Sequence, residues 1–174
     1  MAIEGKNGIY LVPLNMGDVD DIFCGILKSK EHLKSGIPFI ENVETKEHVE
    51  VYITMTLKNI KTKCYTIRKD TTFCGIINLD LNDQFNKVCE IGYWLTKEET
   101  GKGVMTNALF SLSNFALKNL HLHRVELRVE TTNFKSQNVA MRNNFVNEGI
   151  ERKRLFLDGK YRDCYIYSLL DEDL

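Results

Sequence analysis

The stretch of sequence that decides the fold is CEIGYWLTKEETGKGVMTNAL, residues Cys89–Leu109. It begins with an alternating apolar run, which predicts a β-strand. Two glycines, Gly101 and Gly103, follow, and beyond them apolar residues recur every three or four positions, as in an amphipathic helix. A glycine turn ahead of a helix can be a simple reversal or an anion cradle, because a helix N-terminus presents unpaired amides and partial positive charge. These residues alone leave both interpretations equally open.

Two familiar phosphate-binding motifs do not fit this turn. A P-loop needs glycine six residues before its lysine and Ser or Thr directly after it, but Thr96 and Gly103 occupy those positions around Lys102. A dinucleotide fingerprint needs glycine or alanine where Thr106 stands. What remains is a short loop whose amides, from about Thr100 onward, open onto a helix N-terminus and suit a bulky phosphate.

Composition and charge narrow the class of protein. The 174 residues are 43% apolar and 27% charged, which is typical of one globular domain, expected over residues 1–174. A net charge of −1 gives no broad basic field, so we expect no nucleic-acid partner. Five scattered cysteines without a CxxC predict reduced thiols, and we expect no metal. No apolar stretch approaches about 18 residues and no signal peptide is evident, so we expect a cytoplasmic protein without membrane association.

Periodicity along the rest of the chain predicts an α/β (α+β) fold. The order is strand, two helices, three strands, helix, strand, helix, two strands. Pro13 favours an edge position for the first strand, Gly8–Leu14, and the second helix is expected over about Val43–Leu57. An Asp158-Gly159 pair predicts a hairpin turn near the C-terminus. We therefore expect one mixed, mostly antiparallel sheet of about seven strands, flanked by four helices.

A second motif, NFKSQNVAMRNNFVNEG, occupies Asn133–Gly149. Its NxxS start and NFxxEG end resemble the C-terminal motif of the GNAT superfamily of N-acetyltransferases, and ExxGxG at residues 98–103 resembles that family's pyrophosphate loop. Asn144 stands where glycine is usual, and asparagine tolerates the left-handed conformation needed there. The resemblance covers nearly the whole chain and is greatest to the ribosomal-protein serine N-terminal acetyltransferases. It is weaker over residues 23–61, where acceptor specificity usually resides.

This resemblance implies a single-domain GNAT fold with acetyl-CoA as co-substrate. The acceptor would be a primary amine that attacks the thioester directly, most simply the N-terminal amine of a ribosomal protein. In the family, the fourth strand splays from the fifth and the pantetheine arm lies between them. Relatives also pair their final strands across a homodimer, which is an expectation by analogy. The residues implied to bind acetyl-CoA are Trp94, Leu95, Thr96, Thr100, Gly101, Lys102, Gly103, Val104, Met105, Thr106, Asn133 and Asn138.

Two residues are the candidates for catalysis. Ser136 matches a position at which related enzymes place a hydroxyl near the sulfur, where it can donate to the leaving thiolate; alternatively, it caps a helix. Glu90 shares a strand face with Gly92 and Trp94 by period two. It is a candidate general base, and a cross-strand ion pair is an equally open interpretation. The base proposed for a close relative corresponds roughly to Leu155, which cannot accept a proton.

Two other functions remain open. One is acetylation of a polyamine or another small amine, which a stripe of glutamates in the expected acceptor wall would suit if it is not simply a solvated helix face. The stripe comprises Glu41, Glu44, Glu47 and Glu50. Ser136 argues against this function, because polyamine enzymes more often have alanine there. The other is an acyl-CoA-binding module without turnover.

Overall fold

The computed structural model of the protein describes residues 1–34 and 36–173. Its strands are β1 (Ile3–Glu4), β2 (Ile9–Pro13), β3 (Thr62–Lys69), β4 (Thr72–Asp83), β5 (Val88–Leu95), β6 (Arg124–Glu130), β7 (Val146–Leu157) and β8 (Lys160–Leu170). They form one sheet in the order β1-β2-β3-β4-β5-β6-β8-β7. Neighbouring strands are antiparallel except β5 and β6, which are parallel. The predicted mostly antiparallel α/β architecture is confirmed.

Five α-helices connect the strands. They are α1 (Val19–Leu33), α2 (Pro38–Glu41), α3 (Lys46–Lys58), α4 (Val104–Asn114) and α5 (Phe134–Arg142). Short 3-10 turns occupy Met16–Asp18, Lys97–Glu99 and Asp171–Asp173, and α4 continues as a π-helical turn over Phe115–Asn119. Within the described ranges, no helix combines the length and the apolar character needed to cross a membrane.

The differences from the predicted elements are small and have physical causes. The structure adds β1, of two residues, and α2, of four, and both are too short to give an apolar period. Because β1 pairs with Tyr10 and Leu11, the prediction that β2 is an edge strand is wrong there. Pro13 lies beyond the end of β1 and pairs with Tyr65 of β3. That residues 1–174 form one domain remains a prediction, and Ser35 and Leu174 lie outside the described residues.

The sheet separates two hydrophobic clusters, because side chains alternate between its faces. On one face, α4 and α5 pack against strand residues that include Ile77 and Leu127. On the other, α1 and α3 bury Ile22 and Ile53 against Trp94. Burying an aliphatic side chain of this size contributes about 1.5–3 kcal/mol, so these clusters hold the helices firmly on the sheet.

The sheet opens between its two parallel strands. β5 and β6 are paired only at Val88–Arg124, Cys89–Val125 and Glu90–Glu126. Beyond Glu90, β5 continues along β4 to Leu95, whereas β6 continues along β8 to Glu130. The two strands therefore enclose a wedge that widens toward the glycine loop. The splay implied by the family resemblance is present.

Candidate active site

The glycine loop follows directly from the wide end of this wedge. Gly101 and Gly103 have φ of 79° and 76°, in the left-handed region that residues other than glycine rarely adopt. No atom lies within 4 Å of the position that a Cβ would take at either residue, so the loop is open on that side. Gly103 is the N-cap of α4, and its carbonyl accepts from the Asn107 amide at 3.1 Å. The amides of residues 104–106 come before this first helical bond and have no intrahelical acceptor. They are therefore available to donate to a diphosphate.

The side chains of Lys102 and Thr100 in this loop bond to other groups of the protein. Lys102 Nζ lies 3.0 Å from Glu99 Oε1, and the Thr100 hydroxyl donates to the Lys97 carbonyl at 2.8 Å. Glu98, which replaces the family's usual Gln or Arg, is exposed to solvent. An anion at this loop would therefore meet backbone amides, with the positive charge of Lys102 held nearby by Glu99.

The end of β5 contributes backbone to the wedge, because its side chains are in the core. Trp94 packs edge-on against Phe73, with ring centroids 5.9 Å apart, on the α1 and α3 face. Leu95 packs into the cluster on the opposite face. The Thr96 amide donates to Cys74 O at 2.8 Å, so it is already bonded to β4.

The first turn of α5 forms the other wall of the wedge. Asn133 is its N-cap, and its Oδ1 accepts from the Ser136 amide at 3.1 Å. The alternative that Ser136 caps the helix is therefore wrong. The Ser136 carbonyl accepts a long bond, 3.5 Å, from the hydroxyl of Tyr93 on β5, so the two walls touch at this point. Asn138 is exposed on α5, two residues further along.

Carboxylates line up across three strands where the wedge begins. Asp80 of β4 pairs in register with Glu90 of β5, and Glu90 with Glu126 of β6, a set that we call the carboxylate row. Like charges directly opposite one another on a sheet are destabilising. Arg128 offsets part of that repulsion, with its Nη1 2.7 Å from Glu90 Oε2. The cross-strand ion pair considered for Glu90 is present.

Burial is the largest influence on the Glu90 carboxyl. It raises the pKa of Glu90 above its ordinary value, and the neighbouring Arg128 guanidinium offsets part of that rise. The side chain is 35% exposed, so it can still meet water or an acceptor. A partly desolvated carboxylate at an open face has the properties of a general base. Its role as the base remains a prediction.

A family model described as an acetyltransferase (GNAT) domain matches residues 9–146, which contain the glycine loop, the wedge and the start of α5. The chain belongs to the GNAT acetyltransferase family. As a member, it is an acetyl-CoA-dependent N-acetyltransferase.

Relatives of this GNAT protein include enzymes named for ribosomal substrates. The putative ribosomal N-acetyltransferase YdaF of Bacillus subtilis (strain 168) is 40% identical over 104 residues, 60% of this chain and 57% of that protein. The ribosomal-protein-serine acetyltransferase of Escherichia coli (strain K12) is 28% identical over 170 residues, 96% of this chain and 95% of that protein. The chain thus spans little more than half of the first relative and nearly all of the second.

A solved structure has the same fold over its full length. RimL, a ribosomal L7/L12 alpha-N-protein acetyltransferase in complex with coenzyme A, matches with a TM-score of 0.93 and 22% identity, covering 100% of both chains. The residues of this GNAT chain fit a CoA diphosphate, since the loop is open, carries two left-handed glycines and presents free amides.

Two features of this GNAT site were not evident from the sequence. Arg128 contacts the carboxylate row only because the strand register brings it there. His32 is half-buried on α1, one turn beyond Ser29, whose Oγ accepts from the Lys97 amide at 2.9 Å. The pKa of His32 is lowered by burial and by the charges of Lys135 and Lys97, so its imidazole is neutral near pH 7. Ser29 and His32 are three residues apart on α1, and this spacing is the sequence signal that could have shown that they share a helix face.

The glutamate stripe does not form one helical face. Glu41 ends α2, Glu44 lies in the connection before α3, and Glu47 and Glu50 belong to α3 itself. All four are exposed. The interpretation of the stripe as a single helix face is therefore wrong, since the second helix begins at Lys46 and not near Val43.

Proposed function

We propose that the protein acetylates the N-terminal α-amine of a protein and that ribosomal proteins are its acceptor class. The observation that carries this proposal is similarity to the E. coli ribosomal-protein-serine acetyltransferase over 96% of the chain. That span includes residues 23–61, in which acceptor specificity is expected and to which α3 and most of α1 belong. A family likeness confined to the acetyl-CoA loop would not support any particular acceptor.

On the donor side, the proposal assigns the CoA diphosphate to the amides of residues 101–106. The two glycines let phosphate oxygens approach the backbone without meeting a side chain, and the partial charge of α4 favours an anion. Pantetheine would lie in the wedge along the end of β5, at Trp94 and Leu95, where β6 no longer pairs with β5. Asn133 uses its oxygen for capping, which leaves its Nδ2 group to donate to a pantetheine carbonyl.

The reaction requires one bond to form and one to break. The neutral amine attacks the thioester carbonyl, and a backbone amide near the end of β5 stabilises the tetrahedral oxyanion. The amine proton passes, through water, to Glu90. The C–S bond then breaks, Ser136 donates its hydroxyl proton to the departing thiolate and regains a proton from water, and Glu90 returns the amine proton to water. Because an α-amine has a pKa of about 7.7–8.0, an appreciable fraction is neutral at physiological pH, and positioning carries much of the rate.

The charge of the site also favours an amine. The carboxylate row at the start of the wedge attracts the acceptor as an α-ammonium group. The ammonium group then loses a proton to become the attacking amine. A polyamine would need further carboxylates along its length. The exposed glutamates of α2 and α3 lie on separate elements and do not provide a continuous track. Among the residues that the structure describes, no contact in the site favours the polyamine alternative.

A screen of acceptors tests the proposal. Peptides with free Ser or Ala N-termini, the same peptides with acetylated N-termini, and spermidine are each incubated with acetyl-CoA while free thiol is followed. The proposal predicts thiol release with the free peptides and none above background with the blocked peptides. Faster release with spermidine than with every free peptide would reject the acceptor class. Binding of CoA without release for any amine would favour the module without turnover.

A further inference from the structure

Arg128 forms ion pairs with carboxylates from three strands. Its Nη1 lies 2.7 Å from Glu90 Oε2 on β5 and 3.1 Å from Glu126 Oε2 on its own strand, β6. Its Nε lies 2.8 Å from Glu151 Oε2 on β7. The side chain is 16% exposed, so these bonds form in a partly desolvated setting, where charged hydrogen bonds are stronger than in water.

The position of Arg128 within the sheet relates it to the reaction. Glu90 and Glu126 form the last pair that joins β5 to β6, and Arg128 lies two residues beyond Glu126. Its guanidinium therefore ties the two strands together just past the point where their backbones separate. On β5, the residue that Arg128 bonds to is Glu90, the carboxylate that we propose receives the amine proton.

Arg124 provides a natural comparison. It lies on the same strand and face, bonds to Glu126 at 2.7 Å through its Nε, and also bonds to Glu148 of β7. Its side chain is 19% exposed, close to that of Arg128. Arg124 makes no hydrogen bond to Glu90 in the described part of the chain. Both arginines thus bond to Glu126 and to a carboxylate of β7. Arg128 also bonds to Glu90, the candidate base.

We propose that Arg128 is a positioning residue that holds Glu90 as an oriented carboxylate at the narrow end of the wedge. The proposal rests on the function proposed above, in which Glu90 takes the proton from the amine. Without Arg128, the Glu90 carboxyl would be partly buried between two other carboxylates with no cation in contact. It would then take up a proton more readily and would be free to rotate away from the acceptor.

Several charged groups act on Glu90 from the surrounding strands. Asp80 on β4 and Glu126 on β6 are its in-register neighbours, and both favour its protonated form. Arg128 on β6 and Arg154 on β7 favour the ionised form. Asp80 is itself stabilised by a hydrogen bond from Asn78 at 2.7 Å. Removing Arg128 takes away the contacting cation, so the pKa of Glu90 must rise.

The test compares Arg128→Gln with the matched control Arg124→Gln. For each variant, kcat/KM for the peptide acceptor is measured from pH 5 to 9, and the Glu90 carboxyl is titrated by carbon-13 NMR, with Glu90→Gln used to assign its signal. We expect the Glu90 titration and the acid limb of kcat/KM to move together to higher pH in Arg128→Gln. Both should stay in place in Arg124→Gln. A purely structural role would lower kcat/KM at every pH without moving the limb.

Arg128→Lys keeps the positive charge but not the forked geometry. We expect its acid limb to lie nearer the wild-type position than that of Arg128→Gln, and this variant also serves if the Gln variant does not fold. A carboxyl titration that moves without the kinetic limb would overturn the proposal, as would equal shifts for both arginine variants. If no peptide is acetylated, the acceptor assignment fails separately, and an unmoved Glu90 titration would still refute the coupling to Arg128.

Discussion

Glu90 and Glu126 are the last residues paired between β5 and β6, and the sheet opens immediately beyond them. This pair lies between two parts of the site. Toward the C-terminal end of β5 are the wedge and the open glycine loop, which suit the donor, and around the pair itself are the carboxylates and arginines beside which we propose that the acceptor binds. Acetyl transfer requires a donor thioester and an amine to meet, and the end of the strand pairing is where these two regions adjoin.

Replacing Ser136 should slow the chemical step. If its hydroxyl protonates the leaving thiolate, Ser136→Ala lowers kcat by about 10²-fold or more, the usual range for general acid catalysis, and leaves the Kd of CoA nearly unchanged. Single-turnover kinetics and calorimetric CoA binding measure the two quantities. Ser111→Ala is the control, because it removes a helical hydroxyl that donates to the Asn107 carbonyl within α4. Equal kcat for the two variants would remove Ser136 from the mechanism.

The left-handed glycine at the start of α4 should matter for CoA binding. In Gly103→Ala the residue must adopt a conformation that costs about 1–2 kcal/mol, so the loop relaxes in the free protein and CoA must restore it. We expect the Kd of CoA to rise about tenfold. Gly159→Ala places the same strain in the β7–β8 turn, where φ is 68°, and should reduce stability without changing the Kd. An unchanged Kd in both would argue against the cradle.

His32 should make stability depend on pH. Its pKa is lowered in the folded protein, so below the ordinary His pKa of about 6.5 the unfolded chain binds more protons than the folded one. The free energy of unfolding that this residue contributes is therefore fully present above that pH and is lost as the pH falls from there through the lowered pKa of the folded state. Urea unfolding at pH 7.5 and 5.5 should show a smaller loss for His32→Gln than for the wild type. His123, which pairs with Asp171, gives the control His123→Gln.

The packing of α1 and α3 on the sheet depends on buried aliphatic side chains. Ile53 of α3 is fully buried, so Ile53→Ala should lower the free energy of unfolding by about 2–5 kcal/mol. Met55, two residues along the same helix, is 69% exposed, and Met55→Ala should change it by no more than about 0.5 kcal/mol. Similar losses for both variants in urea titrations would contradict the packing of α3 described above.

The parts of the fold that the sequence predicted are those with a local cause. The strand predicted at the start of the Cys89–Leu109 stretch is β5, Val88–Leu95, and its signal is local, since its apolar alternation lies between a turn and a glycine loop. Asn144, at φ of 61°, and the Asp158-Gly159 turn, at φ of 49° and 68°, follow from the conformations these residues tolerate. The glycine cradle and the helix start at Asn133 also have local sequence signatures.

What the sequence could not predict depends on register between distant strands. Asp80, Glu90 and Glu126 form a row because three strands align at one level, and neither spacing nor periodicity along the chain encodes that alignment. Arg128 reaches Glu90 across 38 residues of sequence for the same reason. The cap at α5 was assigned to Ser136 as one alternative, although Asn133 takes it, because both residue types are favoured near helix starts.

The central claim is that this GNAT enzyme acetylates an α-amine. The most direct test uses one peptide that carries both a free N-terminal Ser and an internal lysine, incubated with acetyl-CoA and analysed by tandem mass spectrometry. The account predicts a single acetyl group on the N-terminal nitrogen, and that product should be lost when the N-terminus is blocked beforehand. Acetylation of the lysine side chain in preference to the α-amine would contradict it.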